Sequence, residues 1–165
     1  MLANNCEFCN LTDEDKKWRL CEAPYWDIYL ADKQDYIGRC IIVLKRHCGS
    51  LSQLEGAEWT ELKSIIDAIE KIMQEVLGAD LCNWSCLMND FYKEDNPNPH
   101  LHIHVRPRCR NPIAVGEKLF YDQEFGHHYD NQKPIQLSVE EIEYLYRKLR
   151  SEFECLCIDV KKQEK

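Results

Sequence analysis

The stretch His100-Leu101-His102-Ile103-His104-Val105-Arg106-Pro107-Arg108 decides how this chain is read. In a strand, successive side chains point to opposite faces, so His100, His102 and His104 form one row and Leu101, Ile103 and Val105 the other. The aliphatic row suits a core, which leaves the imidazole row on the accessible side. Imidazole titrates near neutral pH and serves as nucleophile, acid–base group or metal ligand. A lone histidine in a strand is ordinarily just a hydrogen-bonded residue, but three in strict alternation ask for a chemical role. Two chemistries fit. One is a His-x-His metal chelate. The other is attack on phosphorus by the middle histidine while its neighbours hold phosphate oxygens.

The segments around this stretch have clear periodicities. Residues 91–99 (FYKEDNPNP) form a turn-rich entry in which Pro97 and Pro99 fix φ. Residues 81–88 predict a strand with Cys82, Trp84, Cys86 and Met88 on one face and Asn83, Ser85, Leu87 and Asn89 on a polar one. Residues 52–77 predict the main helix, with an apolar stripe of Leu62, Ile65, Ile66, Ile69, Ile72, Met73, Val76 and Leu77. Ser52-Gln53-Leu54-Glu55 suits its opening as a capping box, and Gly78 its stop. Residues 39–44 read as a central aliphatic strand ending in Lys45-Arg46-His47. Residues 20–31 read as two short strands interrupted at Pro24, residues 32–38 as a turn-rich link, and residues 11–17 as a short helix or loop. Downstream, residues 111–134, including His127-His128-Tyr129, read as irregular. Ser138-Val139-Glu140-Glu141 is a capping box opening a helix to about Cys155 on an apolar face of Ile142, Leu145, Leu149 and Phe153. Residues 161–165 read as a frayed, charged end. The expected class is α+β, an antiparallel sheet packed on one long helix plus a C-terminal helix.

At 165 residues with 44% hydrophobic content, one globular domain over residues 1–165 is expected. No stretch approaches the ~20 apolar residues of a membrane span, and the start lacks the pattern of a signal peptide, so a cytoplasmic protein without membrane partners is expected. A net charge of −8 disfavours binding to a nucleic acid polymer, which relies on clustered Lys and Arg. Arg106, Arg108, Arg110 and Lys118, close behind the histidine row, suit either a small phosphorylated ligand or an ordinary solvated basic loop. Ten cysteines without a secretory signal point to metal ligation rather than a disulfide framework. Cys6-Glu7-Phe8-Cys9 has the spacing for two thiolates on one tetrahedral zinc.

The pattern His-φ-His-φ-His-φ-x-Pro-Arg resembles the signature of the histidine triad family of nucleotidyl hydrolases and transferases. The resemblance extends over residues 6–108 and includes the Gly38-Arg39-Cys40-Ile41 entry, the Lys45-Arg46-His47 strand end and the Ser-Leu-Ser-x-Leu helix opening. It is nearest a zinc-containing, hydrolase-like branch related to diadenosine polyphosphate hydrolases, with residues 109–165 as a C-terminal extension. The resemblance implies that His102 is the nucleophile toward the α-phosphorus of a nucleotide ester, anhydride or phosphoramidate. His104 then lies near the leaving group, and Asn89 supplies an amide to phosphate. It implies a homodimer as well. His100 either braces His102 or joins Cys6, Cys9 and His47 in a structural zinc site. Asp32 is the candidate acid for the ribose. The chain departs from the family pattern at residues 93–99, where Asn96 stands in the place of the usual amide. That departure leaves a non-catalytic, nucleotide-binding regulatory module as the second reading. A catalytic metal on His100, His102 and His104 is the third.

Overall fold

The structure, a computed structural model, describes residues 5–93, 95–127 and 135–163, the last of these as helix backbone over 154–163. Glu94, residues 128–134 including His128 and Tyr129, Glu164 and Lys165, which belong to segments read above, lie outside the described residues. A 3₁₀ turn, Asp15–Trp18, leads into the strand pair β1 (Arg19–Glu22) and β2 (Trp26–Leu30). The break at Pro24 is a turn in which the Ala23 N–H donates to the Trp26 carbonyl at 2.9 Å. Strands β3 (Cys40–Leu44), β4 (Leu81–Ser85) and β5 (His102–Arg108) complete an antiparallel sheet in the order β1-β2-β3-β5-β4.

Helix α1 (Gly56–Leu77) covers one face of this sheet. Leu62, Ile65, Ile69, Ile72, Met73 and Leu77 are buried against Trp26, Ile28, Ile42, Leu44 and Val105. Each such side chain contributes roughly 1.5–3 kcal/mol, so this stripe rather than helix propensity fixes α1 on the sheet. The helix starts four residues later than its sequence suggested, behind a 3₁₀ turn at Leu51–Gln53. The capping box that forms uses Glu55 and Glu58, whose carboxylate accepts from the Glu55 N–H at 2.8 Å. Arg46 decides this, because its guanidinium grips both oxygens of Glu58 at 2.8 and 2.9 Å. Gly78 ends the helix at φ 68°, as expected.

Other segments depart from the periodic reading. β4 stops at Ser85, opposite His104, and the chain peels away into a 3₁₀ turn at Asn89–Lys93. The stretch read as irregular contains a hairpin, β6 (Ile113–Val115) and β7 (Lys118–Phe120), turned by Gly116 at φ 61°. Helix α2 (Val139–Gln163) opens on the expected box: the Ser138 N–H reaches Glu141 at 2.7 Å, and the Glu141 N–H reaches the Ser138 hydroxyl at 3.3 Å. No Gly or Pro interrupts it, so it runs past Cys155 and residues 161–163 are helical rather than frayed. It packs on β1 and α1 through Leu145, Leu149 and Phe153. Cys21 in β1 is disulfide-bonded, so the cysteines are not thiols throughout. No described helix is long and apolar enough to cross a membrane.

Candidate active site and metal centre

Alternation along β5 builds the site. Ile103 and Val105 point into the core, and His102, His104 and Arg106 share the opposite face. By register that face continues through Val43 and Ile41 on β3 and through Ser85 and Asn83 on β4. The strand begins at His102, so the expected row of three histidines is a row of two followed by an arginine. His100 precedes the strand, in a segment pinned by the Leu101 N–H to the Cys48 carbonyl at 2.7 Å.

His100 is fully buried, and its Nε2 lies 2.6 Å from the Leu44 carbonyl. A carbonyl only accepts, so Nε2 carries the proton and Nδ1 presents a lone pair. That lone pair faces Cys6 Sγ at 3.2 Å and Cys9 Sγ at 3.4 Å, while His47 Nδ1 lies 3.4 Å from Cys9 Sγ. The four donor atoms lie within 4.8 Å of one another. Ligands on a tetrahedral zinc sit roughly 3.3–3.8 Å apart, given bonds near 2.3 Å to sulfur and 2.0–2.1 Å to nitrogen, so the donor set and its tautomer fit that ion. Burial and then the neighbouring His47 and His102 hold His100 below the usual histidine range, in the neutral form a ligand needs. Burial and the adjacent Cys6 push the Cys9 thiol up to about 11, a preference that a bound cation reverses. The Arg46–Glu58 pair ties the segment carrying His47 to the start of α1.

One step along, His102 Nδ1 lies 2.9 Å from the His100 carbonyl and so donates to it, leaving Nε2 with the lone pair. Phe8 stacks on this ring at 4.9 Å and 27°, and Phe91 meets it edge-on at 5.7 Å. His102 and His104 line a cleft of about 840 Å³ together with Asn89 and Asn96. Beyond Phe8 a smaller cleft of about 370 Å³ is lined by Leu11, Asp27, Tyr29, Val43 and Lys45. Asp32 is exposed and is not part of either lining. Asp35, three residues on, is buried and lines the main cleft instead.

His104 Nδ1 lies 3.3 Å from Arg39 Nη2. Guanidinium can only donate, so Nδ1 accepts and the neutral ring carries its proton on Nε2. Burial, then His102, Arg39 and Arg106, push His104 down to about 4, so it stays neutral at physiological pH. The three histidines do not converge on one point: His100 Nδ1 faces thiols, His102 Nδ1 a carbonyl and His104 Nδ1 a guanidinium.

The cations behind the row divide in the same way. Arg106 lines the cleft. Arg108 is buried against Asp122 at 2.5 Å, Arg110 stacks on Phe125, and Lys118 pairs with Glu141 at 2.7 Å. Strand parity places Arg106 on the histidine face, so that residue was findable from sequence. Phe8, Asp35 and the approach of Arg39 to His104 carried no local signal.

No protein-family model and no curated protein sequence matches this chain. Solved structures do resemble it. A hypothetical histidine triad nucleotide-binding protein from Sulfolobus tokodaii superposes with a TM-score of 0.64 at 17% identity, over 92% of this chain and 93% of its own. A zinc-bound histidine triad family protein from Mycobacterium smegmatis gives 0.59 at 22% identity, over 94% and 97%. A uridylyltransferase gives 0.65 at 14% identity, over 91% of this chain but 45% of its own length. The fold of this chain is the histidine triad fold.

Proposed function

We propose that this chain is a histidine triad enzyme, a nucleotide hydrolase or transferase working at the α-phosphate through a nucleotidyl-His102 intermediate. The observation that carries this reading is the 2.9 Å hydrogen bond from His102 Nδ1 to the His100 carbonyl, which selects the tautomer with a nucleophilic Nε2 on a ring lining the cleft. In the first step the bond from Nε2 to phosphorus forms as the bond to the leaving group breaks, and the electron pair departs with that group. Water then breaks the N–P bond and frees the monophosphate and His102. The amides of Asn89 and Asn96 and the Nε2–H of His104 are suited to donate to phosphoryl oxygens as charge redistributes. The ring of Tyr29 and the side chains of Leu11 and Val43 in the smaller cleft suit a nucleobase.

Cys6, Cys9, His47 and His100 would hold a zinc ion whose four protein ligands leave no open coordination position. Its contribution is structural: it anchors the loop carrying Phe8 and the residue whose carbonyl orients His102. The branch related to diadenosine polyphosphate hydrolases and the homodimer are part of the proposal.

A second reading, a nucleotide-binding regulatory module, is favoured by one observation. Phe8 lies flat on His102 with Phe91 at its edge, so two aromatic rings crowd the side chain that would have to attack phosphorus. Mass spectrometry of the protein incubated with a nucleoside phosphoramidate separates the two. A nucleotidyl adduct, or monophosphate release lost in His102→Ala, supports the enzyme. Nucleotide binding with neither outcome supports the module.

A further inference from the structure

His104 lends its Nε2–H to the steps above, and the residues that hold it in that one state take no part in them. An imidazole beside a nucleophile has three states open to it: protonated on Nδ1, on Nε2 or on both. The first leaves Nε2 with a lone pair, which repels phosphoryl oxygens instead of donating to them. The third adds a full positive charge. What faces Nδ1 decides among the three.

Arg39 faces it, with Nη2 3.3 Å from His104 Nδ1. A guanidinium carries N–H groups, offers no lone pair and stays charged across the working pH range. A proton on Nδ1 would set donor against donor, and an imidazolium would add a second positive charge beside the first. Both are disfavoured, and one state is left. A carbonyl at the same place selects the opposite proton, as the His100 carbonyl does for His102.

The guanidinium is held on several sides. Its Nη1 donates to the Lys33 carbonyl at 3.1 Å and lies 3.2 Å from Asp35 Oδ1. Asp35 is buried and gripped in turn by Arg106 Nε at 3.0 Å, while Arg106 Nη1 reaches Ser85 Oγ at 3.2 Å. The backbone of Arg39 is fixed as well. Its N–H donates to Gln34 Oε1 at 3.1 Å, and its carbonyl accepts from Gln34 Nε2 and from the Ala31 N–H, each at 3.0 Å. Gln34 is 1% exposed, an amide buried to hold this turn, and Gly38 allows the turn at φ 85°, in the left-handed region.

Around the His104 ring stand His102 and Arg106 from β5, Arg39 and Asp35 from the loop before β3, and Asp90 from the turn after β4. Burial and His102 oppose a second proton on the ring, but neither selects the nitrogen that keeps the first. The contact from Arg39 to Nδ1 makes that choice.

We propose that Arg39 is a positioning residue: its donor-only guanidinium, braced by Asp35 and aimed by the Gln34 turn, locks His104 as a neutral hydrogen-bond donor through Nε2. The consequence for turnover rests on His104 assisting attack by His102, whereas the lock itself is visible in the protein at rest.

The test is heteronuclear NMR of the histidine ring nitrogens at neutral pH in wild type, Arg39→Lys, Arg39→Gln and Arg39→Glu. His104→Gln identifies the His104 signals by their absence. Wild type and Arg39→Lys, whose ammonium also only donates, should carry the proton on Nε2 alone. Arg39→Gln, whose amide can donate or accept, should show a mixture, and Arg39→Glu, whose carboxylate only accepts, a protonated Nδ1. A protonated Nδ1 in wild type, or a His104 state indifferent to Arg39→Glu, would overturn the lock. The wild-type spectrum decides even where a variant does not fold. Monophosphate release from a nucleoside phosphoramidate then reads the effect on turnover. Here kcat should fall about tenfold in Arg39→Gln with KM within about twofold, and recover in Arg39→Lys. A loss in KM alone would make Arg39 a substrate contact and overturn its positioning role. If wild type releases no monophosphate, the reading of His102 has failed, and the spectra still judge the lock.

Discussion

The two ends of β5 handle charge in opposite ways. At the His100 end, two cysteines and two histidines crowd their donor atoms together, with His100 held neutral and the Cys9 thiol held protonated by burial. That end is stable as a ligand set for a cation. At the Arg106 end, two guanidinium groups share one buried carboxylate, and burial, His102 and then these two cations lower the proton affinity of His104. That end suits an anion. His102 sits between, oriented by a carbonyl from the cation-seeking side. His102 thus lies between a Cys₂His₂ cluster that includes His100, just before β5, and two guanidinium groups bridged by Asp35, and on β5 itself each step of two residues advances the same face by only ~6–7 Å.

Removing the residue between the two ends gives the largest expected effect. His102→Ala should lower monophosphate release at least about a thousandfold while far-UV circular dichroism stays native. A rate within tenfold of wild type would sink the covalent route.

Breaking the His100 end comes next. Cys9→Ser, or removal of zinc by a chelator, should cost about 4 kcal/mol of stability in urea titrations where free zinc stands near a thousand times its Kd. The same preparations should lose bound zinc by elemental analysis. A chelated protein with an unshifted urea midpoint contradicts the structural role.

The Arg106 end is tested through its backbone. Gly38→Ala puts a Cβ at a positive φ, into the Leu77 side chain and 3.3 Å from Pro107, so a loss of about 2–3 kcal/mol is expected. Because Gly38 precedes Arg39, the confinement of the His104 proton to Nε2 should be lost while zinc content is kept. Equal loss of both would show that the two ends are not separable.

The smallest effect is in pH dependence. His104 titrates at about 4 in the fold, against ~6.5 unfolded, so the unfolded chain binds more protons between those values. Stability is unaffected by this group above pH 6.5 and declines as pH falls from there toward 4. His104→Gln should flatten that part of the stability profile, and an unchanged slope would mean that the depressed value is not realised in solution.

Local periodicity determined much of this protein. Period-two alternation sets His102 and His104 on one face of the histidine strand and Ile103 and Val105 on the other, though not His100; the three-and-four spacing from Leu62 to Leu77 marks α1, and Ser138 with Glu141 marks the start of α2. The C-x-x-C pair, His47 and His100 stand out in the sequence, and their donor atoms lie within 4.8 Å of one another. These features are legible because backbone geometry repeats over a few residues and leaves its period in the sequence. Tertiary structure decided the rest. Only the fold took His100 off the strand, since its ring is fixed by the Leu44 carbonyl from another strand. Only the fold shows that Asp35 lines the main cleft while Asp32 lies outside both linings, since the path of a loop leaves no period. The shift of the α1 start to Gly56 came from Arg46, twelve residues from Glu58 in sequence and 2.8 Å from it in space. Arg39 and His104 are separated by 65 residues, and their approach comes from β3 and β5 lying side by side. Contacts of that range depend on how elements pack, and nothing within either segment encodes them.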